Sequence, residues 1–244
     1  MKTSESPDVP KTSETSVVSE LLNQIATVFA KPNEVEAFIN TWTLRAASLL
    51  NKTVALGYSE GILVYVPAAS EYTFESLLGK LHETRKEKGC EWDNEWRWAS
   101  FWSDKNEVFG DYGLKDEPQL FVLLRGEGKD GLFFTNTYIF EQIAKAKEFF
   151  TEKEGTTYLS PAAYISAQII LAPESEDGTA GLLDYNDGDY TFTMFPQFSD
   201  DGFIETTGGR CVPNMLVYDV GRLRMGGSYG CVFSHEGLRF VVKE

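Results

Sequence analysis

The sequence has few of the residues from which disulfide frameworks and metal sites are usually built. Its 244 residues include only three cysteines and two histidines. Three is an odd number and too few for a disulfide framework, so we expect Cys90, Cys211 and Cys231 to be reduced. There is no Cys-x-x-Cys spacing, which argues against a zinc site built from these cysteines and His235. We therefore expect no metal and no cofactor.

Long apolar runs are also lacking. No run approaches the roughly 18 residues that a membrane-spanning helix needs, and the N-terminus has no apolar stretch typical of a signal peptide. With 42% hydrophobic and 14% aromatic residues, the composition is that of a globular chain. We therefore expect a cytoplasmic protein with no membrane partner.

Basic residues are scarce, with 22 Lys and Arg against 37 Asp and Glu, a formal net charge of −15. The excess lies mainly in two acidic segments, 91–117 and 173–209, and the second has nine acids and no Lys or Arg. A field of this sign repels nucleic acid and attracts basic proteins, so we expect a basic protein partner and no nucleic acid. The alternative is that the acids only maintain solubility. The acids expected to bind the partner are Asp184, Asp187, Asp189, Asp200, Asp201, Glu174 and Glu176.

Four of the five tryptophans lie at even positions within residues 89–113: Trp92, Trp96, Trp98 and Trp102. In a strand, this spacing places all four side chains on one face. Each Trp can bury roughly 150–250 Å², so together they exceed the apolar patch of about 300–600 Å² that a typical monomer exposes. We expect a strand that forms one wall of the core. The alternative leaves one or two tryptophans open to stack on a sugar or base.

The N-terminal half has helical patterns. Residues 1–16 are polar and are expected to be disordered. Apolar spacing predicts a helix from Val17 to Pro32, a second helix capped by Asn33, and a third over 73–88. Two strands are expected between the second and third helices, at 53–58 and 62–66.

The C-terminal half has mainly strand patterns. An apolar run at 119–125 predicts a central strand, and 135–137 offers caps for a helix at 138–153. Residues 161–172 fit a helix begun by Ser160-Pro161, but they also alternate as a strand does, so both readings stay open. The remaining predicted strands are 190–195, 202–206, 211–220, 229–233 and 238–243, with glycine turns at 208/209 and 226/227.

These patterns predict an α+β fold, in which helices from the N-terminal half pack on a twisted, mainly antiparallel sheet. We expect residues 17–244 to form a single domain. A division into a subdomain at 17–89 and a β-rich subdomain at 90–244 is the alternative.

Two short motifs invite a binding role. Residues 184–189 are rich in oxygen ligands, as calcium loops are, but glycine and aspartate occupy the wrong positions for an EF-hand, so an acidic turn is favoured. Arg222 and Arg224 lie beside glycines and could bind a carboxylate or phosphate. A hairpin with two outward-facing arginines is the favoured interpretation.

No catalytic residue is assigned from the sequence, and whether the protein is an enzyme stays open. Ser234 and His235 lack a nucleophile elbow, and His82 on the third predicted helix is interpreted as structural.

Arg125, the Thr-Asn-Thr of 135–137 and the Glu-Ser-Glu of 174–176 follow one another along the chain. This order resembles the arginine, Ser-Thr-Ser and Glu-x-Glu motifs of mono-ADP-ribosyltransferases. The resemblance implies that Arg125 binds NAD, that Thr135 shapes the pocket, and that Glu176 stabilises an oxocarbenium-like transition state.

The leading interpretation is a non-enzymatic interaction module, like an inhibitor or immunity protein, that docks a basic partner through segments 91–117 and 173–209. One alternative is an enzyme that resembles the mono-ADP-ribosyltransferases and uses NAD. The other is a protein that binds carbohydrate or bases through an exposed part of the tryptophan face.

Overall fold

The computed structural model describes residues 12–87, 97–98, 112–128, 131–172, 183–184, 191–206, 209–218, 222–228 and 236–244. The helices within these ranges are α1 Thr12–Phe29, α2 Val35–Ala55, α3 Phe74–Glu87, α4 Ile139–Glu152 and α5 Pro161–Leu171, with a 3₁₀ turn at Pro196–Phe198. The strands are β1 Gly61–Val66, β2 Arg97–Trp98, β3 Gln119–Leu124, β4 Thr156–Tyr158, β5 Phe192–Met194, β6 Ile204–Thr206, β7 Gly209–Tyr218, β8 Arg222–Ser228, β9 Glu236–Leu238 and β10 Phe240–Val242. The predicted α+β class is confirmed.

The described strands form two sheets rather than the single sheet expected. Sheet 1 has the order β1-β3-β10-β4, and every neighbouring pair is antiparallel. Sheet 2 has the order β2-β8-β7-β5-β9, with β6 added beside β7. Its β7–β8 hairpin is antiparallel, whereas β2 runs parallel to β8 and β5 runs parallel to β9. Only Arg239 separates β9 from β10, so the chain crosses from sheet 2 to sheet 1 at that residue.

Sheet 1 lies between two layers of helices because its strands are apolar on both faces. Val64 and Val66 of β1 pack in one core with α3 and α5. Leu63 and Tyr65 of the same strand pack in a second core with α1, α2 and α4. Strands that are buried on both faces have nearly continuous apolar sequences. This explains the apolar runs of β1 and β3.

Helix α5 is buried along almost its whole length and fills the space between sheet 1, α3 and sheet 2. Every residue from Pro161 to Ile170 is buried. Ser160 caps the helix, because its hydroxyl accepts a hydrogen bond from the Ala163 amide at 3.2 Å, and Pro161 occupies the first turn. The capping signal therefore decides between helix and strand for 161–172. The apolar alternation reflects burial on all sides.

Several predicted elements differ from the structure. The strand expected at 53–58 is absent, since α2 continues to Ala55 and the chain reverses at Gly57, whose φ is +94°. Helix α1 begins at Thr12, so residues 12–16, expected to be disordered, are helical. The 226/227 glycines lie within β8 rather than in a turn. The start of α2 lacks a side-chain cap, and so does the start of α4 at Tyr138. The strand predicted at 229–233 lies outside the described residues.

Among the helices of the described ranges, none combines the length and the apolar character that crossing a membrane requires.

Candidate functional site

The acids predicted to bind a partner divide into three groups by their location. Asp200 and Asp201 are exposed, as the docking hypothesis requires. Asp184 is completely buried, with 0% of its surface exposed. The other four, Glu174, Glu176, Asp187 and Asp189, lie outside the described residues.

Asp184 lies inside the protein because it is the charge partner of Arg239. The guanidinium Nη2 of Arg239 donates to Asp184 Oδ1 at 2.6 Å, and the side chains are 2% and 0% exposed. The hydroxyls of Thr191 and Thr193 donate to the two carboxylate oxygens at 2.9 and 2.5 Å. Arg239 Nε also donates to the Thr193 hydroxyl at 2.8 Å. We call these four residues the buried polar cluster.

The buried polar cluster joins the two sheets. Thr193 belongs to β5 of sheet 2, and Arg239 is the residue at which the chain enters sheet 1. The turn that carries Asp184 is attached to α5, because Gln168 exchanges two hydrogen bonds with the Leu183 backbone, at 2.7 and 3.1 Å. An ion pair taken out of water is stable only when its remaining hydrogen-bonding groups are satisfied. Both oxygens of Asp184 accept hydrogen bonds from the other members of the cluster.

Tyr164 of α5 adjoins the cluster and is itself fully buried. Burial first, and then the negative charge of Asp184, raise the pKa of the Tyr164 hydroxyl well above its usual value of 10. Tyr164 therefore remains protonated at physiological pH.

Sequence reasoning did not single out Arg239. The sequence feature that could have pointed to Arg239 is its position inside an apolar run, Gly-Leu-Arg-Phe-Val-Val at 237–242. An arginine in a buried strand requires an anionic partner. The chain offers 37 carboxylates, so the run could indicate that a partner exists but not that it is Asp184.

Asp201 is fixed in an exposed turn. Its Oδ1 accepts hydrogen bonds from the Phe203 amide at 3.0 Å and from the Ser199 hydroxyl at 3.2 Å. Its Oδ2 pairs with Arg210, whose guanidinium lies 5.1 Å from the Phe203 ring centroid. The Phe203 amide, with smaller contributions from Ser199 and Arg210, lowers the pKa of Asp201 below its usual value. The carboxylate is therefore held ionised and in one position.

Helix α4 contacts this turn and also exposes two aromatic side chains. Lys147 Nζ donates to the Asp200 carbonyl at 3.3 Å. At the start of the helix, the Tyr138 and Phe140 rings stack with centroids 5.4 Å apart and planes inclined by 10°. They are 47% and 56% exposed. We call Tyr138, Phe140, Asp200 and Asp201 the aromatic–acidic surface.

The tryptophan and arginine motifs meet in sheet 2. Strand β2 contains Trp98 and runs parallel to β8, and its Arg97 lies opposite Arg224. Arg222 is the first residue of β8 and pairs with the last residue of β7, so β7 and β8 form a hairpin. The other tryptophans, Trp92, Trp96 and Trp102, lie outside the described residues.

The residues that resemble the mono-ADP-ribosyltransferase motifs are only partly described. Arg125 follows β3, is exposed, and pairs with Glu60 at 3.5 Å. Thr135 is half-buried beside the turn that follows Arg125. Glu176 lies outside the described residues, so no active-site geometry can be measured from this set.

Within the described part of the chain, no group of three or more His, Cys, Asp and Glu side chains is arranged to hold a metal ion. The side chain of Cys211 is buried. Comparison of the chain with protein-family models, with curated proteins and with solved structures found no match.

Proposed function

We propose that this protein is an interaction module that docks a basic protein through its aromatic–acidic surface. The observation that carries the proposal is the contact between α4 and the Asp200–Asp201 turn. This contact joins the helix that carries two exposed, stacked aromatic rings at its start to the turn that carries two exposed carboxylates. The partner segment that fits this surface is rich in Arg and Lys.

Charge complementarity supports a basic partner. Segment 173–209 contains nine acids and no basic residue, and of these acids Asp184 is neutralised internally by Arg239. Asp200 and Asp201 present the same sign of charge at the surface. Opposite charge across an interface steers association and determines the choice of partner.

The two rings supply what charge alone lacks, which is a contact area that excludes water. Aromatic residues are enriched where interfaces bind most tightly, and arginine stacks favourably on their faces. Phe140 and Lys147 are seven residues apart on α4, nearly two turns, so they share one side of the helix. They are separated by about 10 Å along the axis, a distance that one short basic segment can span.

Arg210 does not block this surface, although it pairs with Asp201. The two side chains are 54% and 59% exposed, and an exposed ion pair contributes little because water and salt compete with it. A partner guanidinium can therefore replace Arg210 at Asp201 or add to the pair through Asp200.

The test begins with capture of host proteins by the immobilised protein at low salt and their release at high salt. Each released protein is then purified, and its Kd is measured by calorimetry against two variants. We expect Phe140→Ala to weaken binding roughly tenfold, as loss of a hot-spot aromatic does. We expect Asp200→Asn with Asp201→Asn to weaken it about threefold to tenfold at low salt, with a flatter salt dependence.

Matched controls separate this surface from general effects of charge and apolar area. Leu44→Ala removes an apolar side chain that is 78% exposed on α2. Glu20→Gln with Glu36→Gln removes the same charge from α1 and α2, outside both acidic segments. Both controls should leave Kd unchanged. The proposal is overturned if the Kd of the salt-released partner is unchanged in both the Phe140 variant and the double aspartate variant. It is also overturned if the lysate yields no such partner.

A further inference from the structure

A pocket lies on a different part of the molecule, where α1 ends. It has a volume of about 410 Å³ and opens between the end of α1, the turn before α3, and α3 itself. Phe29, Lys31, Glu34, Glu71, Tyr72 and Lys80 line it. Sites for small molecules usually have volumes of about 300–1,000 Å³.

The pocket has a preformed aromatic wall. The Phe29 ring packs against Tyr72 with centroids 6.2 Å apart and against Tyr65 at 5.4 Å. The turn that carries Tyr72 is fixed, because the amides of Glu71 and Tyr72 both donate to the Ala68 carbonyl, at 2.9 and 3.0 Å. A ligand therefore meets apolar surface that does not have to be ordered on binding.

One cation and one anion in the wall lack a charge partner within the described residues. Lys80 is half-buried, with its Nζ 6.0 Å from the Phe29 ring centroid, and no described carboxylate lies within ion-pair distance of it. Glu71 is exposed and likewise has no ion pair there. Glu71 and Tyr72 both line the pocket, and the pKa of the Tyr72 hydroxyl is raised by burial first and then by the charges of Glu71 and Glu83. The other two charges, Lys31 and Glu34, pair with each other at 3.5 Å.

We infer that this pocket binds a small zwitterion with an apolar side chain, such as a free aromatic amino acid. Lys80 complements the carboxylate of such a ligand, Glu71 complements its ammonium group, and Phe29 with Tyr72 receives the apolar side chain. The four charges of the wall sum to zero, which disfavours polyanions such as nucleotides and also disfavours simple cations.

The experiment uses the full chain and three compounds that share one apolar skeleton and differ in the charged groups that they carry: L-phenylalanine, phenethylamine, which lacks the carboxylate, and 3-phenylpropanoate, which lacks the ammonium group. Binding is measured by saturation-transfer NMR and calorimetry. We expect L-phenylalanine to bind with a Kd of roughly 0.1–1 mM, as its size allows. We expect each analogue to bind at least about tenfold more weakly, because it leaves one charged group of the pocket without a partner.

Two variants test which pocket residue binds each charged group of the ligand. Lys80→Met, which keeps the length of the side chain, should weaken binding of L-phenylalanine about fivefold or more and leave phenethylamine unchanged. Glu71→Gln should weaken L-phenylalanine similarly and leave 3-phenylpropanoate unchanged. Lys145→Met and Glu75→Gln, which remove exposed charges outside the pocket lining, are the matched controls and should have no effect.

The inference is overturned if L-phenylalanine shows no saturable binding, if both analogues bind as tightly as it does, or if neither variant changes Kd. Glu71 is exposed, so its variant remains informative even if Lys80→Met proves too unstable to purify. The aromatic–acidic surface contributes nothing to this pocket, so the result is independent of the proposed docking function.

Discussion

Two Asp–Arg ion pairs each take their aspartate from segment 173–209. They have the same chemistry, but one is buried and the other is exposed. The Asp184–Arg239 pair is 0% and 2% exposed and joins the two sheets. The Asp201–Arg210 pair is more than half exposed and lies in a surface turn. Two hydroxyls satisfy the Asp184 oxygens, whereas the backbone amide of Phe203 is the main influence on Asp201.

The difference shows that the burial of an ion pair, and not its chemistry, determines how much its loss destabilises the folded state. A buried charge that loses its partner has neither water nor a counter-charge, so the folded state is strongly destabilised. An exposed charge that loses its partner regains water. Among the described acids of this segment, Asp184 therefore maintains the fold, whereas Asp200 and Asp201 lie exposed at the surface.

The largest expected effect is that of Asp184→Ala. This change leaves Arg239 buried without a counter-charge and removes the acceptor of two hydroxyls, so we expect the free energy of unfolding to fall by about 3–5 kcal/mol. Urea denaturation followed by far-UV circular dichroism measures the loss. A decrease as small as that of an exposed acid would show that the cluster is not a structural element.

The next effect is the energetic coupling between Asp184 and Arg239. Replacing both with apolar residues, as Asp184→Leu with Arg239→Met, removes the two charges together. We expect the double variant to be more stable than the sum of the single losses predicts, with a coupling energy of about 2–3 kcal/mol. A double-mutant cycle in urea gives this value, and additive losses would mean that the two charges do not depend on each other.

Gly202→Ala tests what holds the exposed turn in place. Gly202 has φ +85°, and a methyl group there would lie 2.6 Å from Cδ1 of Ile143 on α4. We expect a destabilisation of about 1–2 kcal/mol from the left-handed backbone. The control is Arg210→Ala, which removes the exposed ion pair. If Arg210→Ala lowered the free energy of unfolding as much as Gly202→Ala does, the ion pair rather than the backbone would fix the turn.

The smallest effect belongs to Asp201→Asn. The folded-state pKa of Asp201 lies below its usual 3.8, so its contribution to stability is complete above pH 3.8 and is lost as the pH falls through the lowered pKa. We expect a small, constant difference between wild type and variant in thermal unfolding at neutral pH. That difference should narrow only below about pH 3.8. If the stability difference between wild type and Asp201→Asn changed between pH 6 and 8, a titratable group other than Asp201 would be responsible for it.

Much of the fold could be predicted from local patterns, and the misses are physically clear. The apolar runs of β1 and β3 and the spacing of α3 and α4 gave elements that agree with the structure to within one or two residues. The strand expected at 53–58 was wrong because Thr53 belongs to the buried side of α2, and tertiary packing outweighed its β-branched preference. Strand β4, which has three residues, was too short to be recognised.

The site was less predictable than the fold, because pairing between distant residues leaves little trace in a single sequence. The acidic character of segment 173–209 was visible, but the burial of Asp184 depends on an arginine 55 residues further along the chain. The exposure of Phe140 was equally hidden. It lies one residue after the buried Ile139, and only the packing of α4 determines which of the two faces water.

The position of β10 between β3 and β4 has a consequence for how the protein is made. Ribosomes release the chain from its N-terminus, so β1, β3 and β4 leave the exit tunnel before residues 240–242 are available to join them. Until then β3 lacks one neighbour, β4 has none in sheet 1, and Arg239 has not reached Asp184. We therefore expect sheet 1 to close only after residues 240–242 have left the exit tunnel, when Arg239 also becomes available to neutralise the buried charge of Asp184.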